Sequence, residues 1–235
     1  VRKKADSEKF WFDNRMTLNS LALNYIRRKQ LMKKILFITS IALILGLAAC
    51  KEQPTDEVGD AQDVATGSGT SYQLDTDKSK MAWTAAKITA AHNGTVKIKS
   101  GNVFASKDGT ITGGKFTIDL TTITVKDLTG EMKEKLEGHL KTTDFFEVEK
   151  FPEGVFEITS VKPNEKDTTI TGNLTLRDIT KSVEFPATIV VENGKPVSAK
   201  ANVKINRQNW GIVYKGKPDD LIKDTIELDL DLVTK

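Results

Sequence analysis

The chain has 235 residues, 38% hydrophobic and 29% charged, a composition that excludes a disordered or fibrous protein and fits one or two globular domains. Its net charge of +3 is unevenly placed. Residues 1–49 carry ten Lys/Arg and three Asp/Glu, leaving 25 basic and 29 acidic residues in the rest. The remainder is net acidic and has no basic nucleic-acid face, so no nucleic-acid partner is expected.

In chain order, residues 1–31 contain no recognisable site and are read as an over-extended N-terminus, with Met32 as the expected start. Residues 32–49 follow the pattern of an export signal: Lys33 and Lys34, then an apolar run from Ile35, then small residues. That run is shorter than the ~20 residues of a spanning helix, which remains the alternative. Leu47-Ala48-Ala49-Cys50 resembles a bacterial lipobox, and Cys50 is the chain's single cysteine. A lone cysteine in an exported chain has no disulfide partner, and lipidation accounts for it. The expected location is therefore the cell envelope, periplasmic or at the outer membrane, with a lipid on Cys50 as the membrane contact. Residues 50–70 are polar, with Pro54 and no aromatic residue, and read as a flexible tether.

From residue 71 to 235 apolar residues recur with period two. Phe116, Ile118 and Leu120 alternate with polar neighbours, as do Ile170, Leu174 and Leu176, then Ala199 to Ile205, then Ile226 to Leu232. Strict alternation predicts strands with one apolar and one wet face. Shorter runs lie at 81–88, 95–104, 155–161 and 183–191, and turn signals fall at Lys107-Asp108-Gly109, Pro163-Asn164 and Glu192-Asn193-Gly194. Eight or nine strands at this spacing predict an all-β antiparallel barrel or sandwich. One stretch breaks the period: Met132, Leu136 and Leu140 recur every four residues among charges, which predicts an inserted amphipathic helix lying over one end. Arg177-Asp178 reads as a turn ion pair, and Asn206-Arg207 before Trp210 as a strand end with a capping aromatic.

Five stretches carry a family resemblance. They are "YQLDTDKSKMAWTAAKITAAHNGTV", "GGKFTIDLTTITVKD", "LEGHLKTTDFFEVEKFPEGVFEITSV", "ITGNLTLRDITKSVEFPATI" and "INRQNWGI", in order from Tyr72 onward. The domain resembles the YceI-like family of bacterial polyisoprenoid-binding, lipocalin-like proteins. The resemblance implies an eight-stranded antiparallel lipocalin-like barrel with an inserted helix. It also implies an interior that takes a polyisoprenoid or another long-chain amphiphile. Two positions depart from the family pattern. Lys78 stands where a histidine often precedes the serine, and Glu137-Gly138 stands where an Arg-Asp pair is common.

The expected ligand wall is Trp83, Val96, Ile98, Phe116, Ile118, Phe156, Ile158, Leu174 and Leu176, with a plain packed core as the alternative. Phe145 and Phe146 are expected to lid the barrel or pin the helix. His92 and His139 are the only histidines. Two histidines far apart in sequence, without close-spaced partners, do not make a metal motif. No metal, no cofactor and no catalytic residue are expected. The histidines are instead read as rim contacts for a headgroup beside a turn at Asn93-Gly94 and on the helix, or as ties between helix and barrel. The expected function is binding, storage or transport of a long-chain lipid, with a homodimer left open. Two alternatives stand beside it: an enzyme using His92 and His139 at the barrel mouth, and a structural or partner-binding lipoprotein with a packed core.

Overall fold

The computed structural model describes residues 56–235. The export signal, Cys50 and the first part of the tether lie outside the described residues. Eight long strands close into an antiparallel barrel: β3 (Lys80–Lys87), β4 (Ala91–Ala105), β5 (Ile111–Val125), β6 (Glu153–Pro163), β7 (Thr168–Leu176), β8 (Ile179–Glu192), β9 (Lys195–Asn206) and β11 (Asp220–Val233). Each pairs with the next, and β11 returns to β3 with Leu228 opposite Trp83, which closes the ring. The alternation is compatible with this closure, as it is with a sandwich. A sheet with one apolar face must bury it, and rolling the sheet on itself does so without leaving exposed edges.

Short elements complete the wall. β1 (Glu57–Asp60) pairs with β8, β2 (Thr70–Gln73) pairs with β4, and β10 (Gly216–Lys217) hairpins onto β11. The expected turns fall between β4 and β5, β6 and β7, and β8 and β9. Asn93-Gly94, read as a turn, lies instead inside β4, with Gly94 opposite Trp83. The turn lies at 88–90, where Asp220 holds the hairpin tip. Its carboxylate accepts from Thr89 N–H and from the ammonium of Lys87.

Helix α1 (Gly130–Leu140) sits between β5 and β6. Leu136 and Leu140 pack against the core, but Met132 is exposed, so the apolar stripe is used only over its C-terminal half. A clasp holds the helix: Glu137 Oε1 accepts from Val125 N–H and from the Thr124 hydroxyl, both at 2.8 Å.

The tether expectation fails from residue 56 onward. Residues 56–69 form a strap held to the barrel wall, with β1 paired into it. Gln62 N–H donates to Asn173 Oδ1 while Asn173 Nδ2 donates to Gln62 O, Ala65 N–H donates to Ile158 O, and Ser68 and Thr112 bond reciprocally. Composition missed this because the strap is held chiefly by polar and main-chain bonds, which leave no apolar signature. The strap explains why Thr171, Asn173 and Ser182, on the polar side of their strands, are buried.

Candidate functional site

The inward face of the barrel is continuous and apolar. Trp83, Val96, Ile98, Ile118, Leu120, Ile158, Leu174, Leu176, Val203 and Ile205 are all buried there. The inside is not filled. Two cavities of about 140 and 90 Å3 lie along it, one toward the β4–β5 turn and one toward the helix. Met81, Ile118, Leu174 and Leu228 line both and form a waist between them. Among the described residues Ser198, Lys200 and Thr234 border the first space and Arg207 and Lys223 the second, but the surface facing both is apolar, so the lumen suits hydrocarbon rather than ions.

Three inward rings each lie over a glycine of a neighbouring strand. A Cβ at Gly94 would stand 2.6 Å from the Trp83 ring, one at Gly101 2.6 Å from Phe116, and one at Gly172 2.2 Å from Phe156. Without those hydrogens-only faces the rings would be forced inward. The glycines let large aromatics lie against the wall, which preserves the open space between them. Phe156 also meets Phe116 and Phe185, with centroids 6.4 and 5.7 Å apart.

The helix end has a built floor. Trp210 is fully buried and its indole N–H donates to Leu174 O at 2.9 Å. Beside it Arg207, 1% exposed, donates to Ile212 O at 2.6 Å, to Lys223 O at 3.1 Å, and to Asp224 at 2.9 Å. The expectation of a capping aromatic undersold this: the arginine is the anchor, and no periodicity marks an isolated buried cation. Arg177 corrects another expectation. It and Asp178 form the β7–β8 turn, both at positive φ, but the guanidinium turns away to Phe145 O, Gly211 O and Glu147. It thereby ties the chain after the helix to the segment after Trp210. Phe145 and Phe146 line the helix-end cavity, and Phe145 packs on His139 at 5.0 Å, so the pair both covers the lumen and pins the helix.

Every apolar wall candidate lines one or both cavities. The two histidines line neither. His92 Nδ1 bonds Asp127 at 2.8 Å, tying the start of β4 to the chain after β5. Partial burial pushes the Asp127 carboxyl up, but the Asn93 N–H and His92 outweigh it and hold it below the usual range. His139 Nε2 bonds Asp144 at 2.9 Å, with Tyr214 edge-on at 5.1 Å. The two histidines thus serve separate carboxylates. Sequence reading missed Leu74, Phe185, Leu228, Leu230 and Leu232 among the lining residues. The alternation of β11 carried the signal for the last three.

Residues 72–234 match the YceI-like domain. The chain belongs to the YceI-like family. It is 31% identical over 144 residues to a UPF0312 protein of Pseudomonas putida, covering 59% of this chain and 70% of that one. A YceI protein of Salmonella arizonae is 37% identical over 79 residues, covering 32% of this chain and 41% of its own length. Among solved structures, BcnA of Burkholderia cenocepacia superposes with a TM-score of 0.58 at 18% identity, over 69% of this chain and 99% of that one. A polyisoprenoid binding domain from Saccharophagus degradans gives 0.52 at 12% identity, over 74% and 99%. Both likenesses concern the fold. The eight-stranded antiparallel barrel with one helix is that of the YceI-like structures.

Proposed function

We propose that this YceI-like domain binds the apolar chain of a long amphiphile, a polyisoprenoid or a fatty-acyl lipid, in the barrel lumen. The observation that carries the reading is the open apolar lumen whose large rings are laid flat over Gly94, Gly101 and Gly172. Burial of hydrocarbon contributes ~25 cal/mol per Å2 removed from water, and no reacting group is needed. The polyisoprenoid-binding description of the Saccharophagus degradans relative supports the same ligand class. On this reading the protein acts by binding, not catalysis, and serves storage or transport in the envelope, held at a membrane by a lipid on Cys50.

The test is lipid extraction with native mass spectrometry of the chain purified from its membrane fraction. A long-chain lipid is expected to copurify, and a fluorescent stearate analogue is expected to enter the emptied barrel. Gly101→Ala pushes the Phe116 ring inward and is expected to weaken probe affinity ~10-fold, about 1.4 kcal/mol, with the circular dichroism unchanged. A wild-type barrel that carries no lipid and takes up neither an acyl nor a polyprenyl probe sinks the reading. The same preparation, labelled with a palmitate analogue, is expected to lose both label and membrane attachment in Cys50→Ala.

A further inference from the structure

The barrel wall has two seams that its own eight strands do not close. β8 pairs with β9 only from Ala187 to Glu192, so Ile179–Pro186 on one side and Asn202–Asn206 on the other diverge. β5 pairs with β6 only from Lys115 to Asp119, leaving Ile111–Gly114 without a β6 partner. The strap crosses both. β1 fills the first: Glu57 to Asp60 pair with Glu184 to Lys181, while Asp56 N–H donates to Lys204 O and the Asp56 carboxylate accepts from Lys204 N–H. Val58 points inward and packs against the core beside Val183. At the second seam, Ala65 bonds Ile158 O and Gly67 lies against Gly113, close enough that a Cβ there would sit 2.8 Å from it.

We infer that residues 56–69 are a movable section of the barrel wall, and that their displacement from β8 opens a lateral passage for the lipid chain. The inference rests on the lipid-binding reading above. Residues behind both seams line the larger cavity, among them Val183, Phe185 and Val203 at one and Ile111 and Ile158 at the other. The strap lies ahead of residues 72–234, the stretch that matches the family. Its hold is of the kind that opens locally. β1 has four residues and one apolar side chain against the core, its Asp60–Lys181 ion pair is almost wholly exposed on the Asp60 side, and Val64 faces solvent. The floor by contrast is held by Arg207 and Trp210, both essentially without solvent exposure. A lipid passing the floor would have to break that buried network. A lipid passing the seam displaces one short strand and the partly exposed hydrogen bonds of the strap beside it.

The experiment locks the strap in the full chain. Gly59 lies directly opposite Ser182 in the β1–β8 register, so a Gly59→Cys, Ser182→Cys pair is the cross-strand site to bridge, with disulfide formation checked by free-thiol titration. Cys50→Ala is present in all chains compared. Uptake of the fluorescent stearate analogue is followed by stopped flow, oxidised and then reduced. Oxidation is expected to slow uptake ~10-fold, with recovery on reduction, the change that 1.4 kcal/mol in a barrier produces. Val58→Asp, which costs the strap its apolar contact, is expected to speed uptake by a similar factor. Equal rates in oxidised and reduced chains, with Val58→Asp unchanged, overturn the gate and leave lipid binding intact. A reduced chain that takes up no acyl or polyprenyl probe overturns the lipid reading itself, and the gate with it.

Discussion

The two ends of the barrel are closed by different physics. At the helix end a buried cation, a fully buried tryptophan and the Arg177 tie fix main-chain carbonyls at Phe145, Leu174, Gly211, Ile212 and Lys223. At the far end two hairpin tips meet through glycines: a Cβ at Gly109 would strike Val191 at 2.3 Å, and one at Gly194 would strike Lys107 O at 2.4 Å. The first closure is a polar network in low dielectric, where each missing partner is costly. The second is a close approach of glycine backbone to a valine side chain and to a carbonyl, made possible by residues without side chains. The difference teaches that one end is built for permanence and the other only for fit.

The comparison breaks most readily at the floor. Arg207→Leu removes the donor that the Ile212, Lys223 and Ile222 carbonyls share and the buried end of the ion pair with Asp224, and is expected to lower unfolding free energy by ~3 kcal/mol in urea titration. An effect under half of that would mean the floor is no stronger than the far end. Gly109→Ala forces a side chain into a positive φ of 87° and against Val191. It is expected to cost ~1–2 kcal/mol, measured the same way.

The smallest effect separates the helix clasp from the floor. The Val125 N–H, then the Thr124 hydroxyl, hold the Glu137 carboxyl below its ordinary value of 4.5. A group depressed in the folded state contributes fully above its unfolded value and loses that contribution as pH falls through the folded one. Glu137→Gln is therefore expected to be ~0.5 kcal/mol less stable than wild type at neutral pH, a figure discounted for partial exposure. The gap should close as pH drops below 4.5. A gap that persists in strong acid would show that the clasp does not depend on the charge.

Much of the lumen was legible beforehand. Period-two patterning over β5, β7, β9 and β11 placed Phe116, Ile118, Leu174 and Leu176 inside, and the structure has them on the cavity wall. Alternation works because each residue's side is fixed by the pleat, whatever the strand's partner. The histidines show the opposite case. Their rarity drew attention to the barrel mouth, yet each is absorbed by a nearby carboxylate, Asp127 or Asp144. Rarity carries no geometry.

The sequence by itself determined which faces are apolar, and hence an antiparallel barrel or sandwich with one helical excursion; the family resemblance pointed to the barrel. Only the tertiary structure decided whether that interior is packed or open, because openness depends on where three glycines meet three rings across neighbouring strands. It alone decided that Arg207 is the floor's anchor and that a polar segment read as a tether closes the wall. Those contacts join residues far apart in the chain through single hydrogen bonds and backbone approach. Such contacts leave no periodic trace in a sequence.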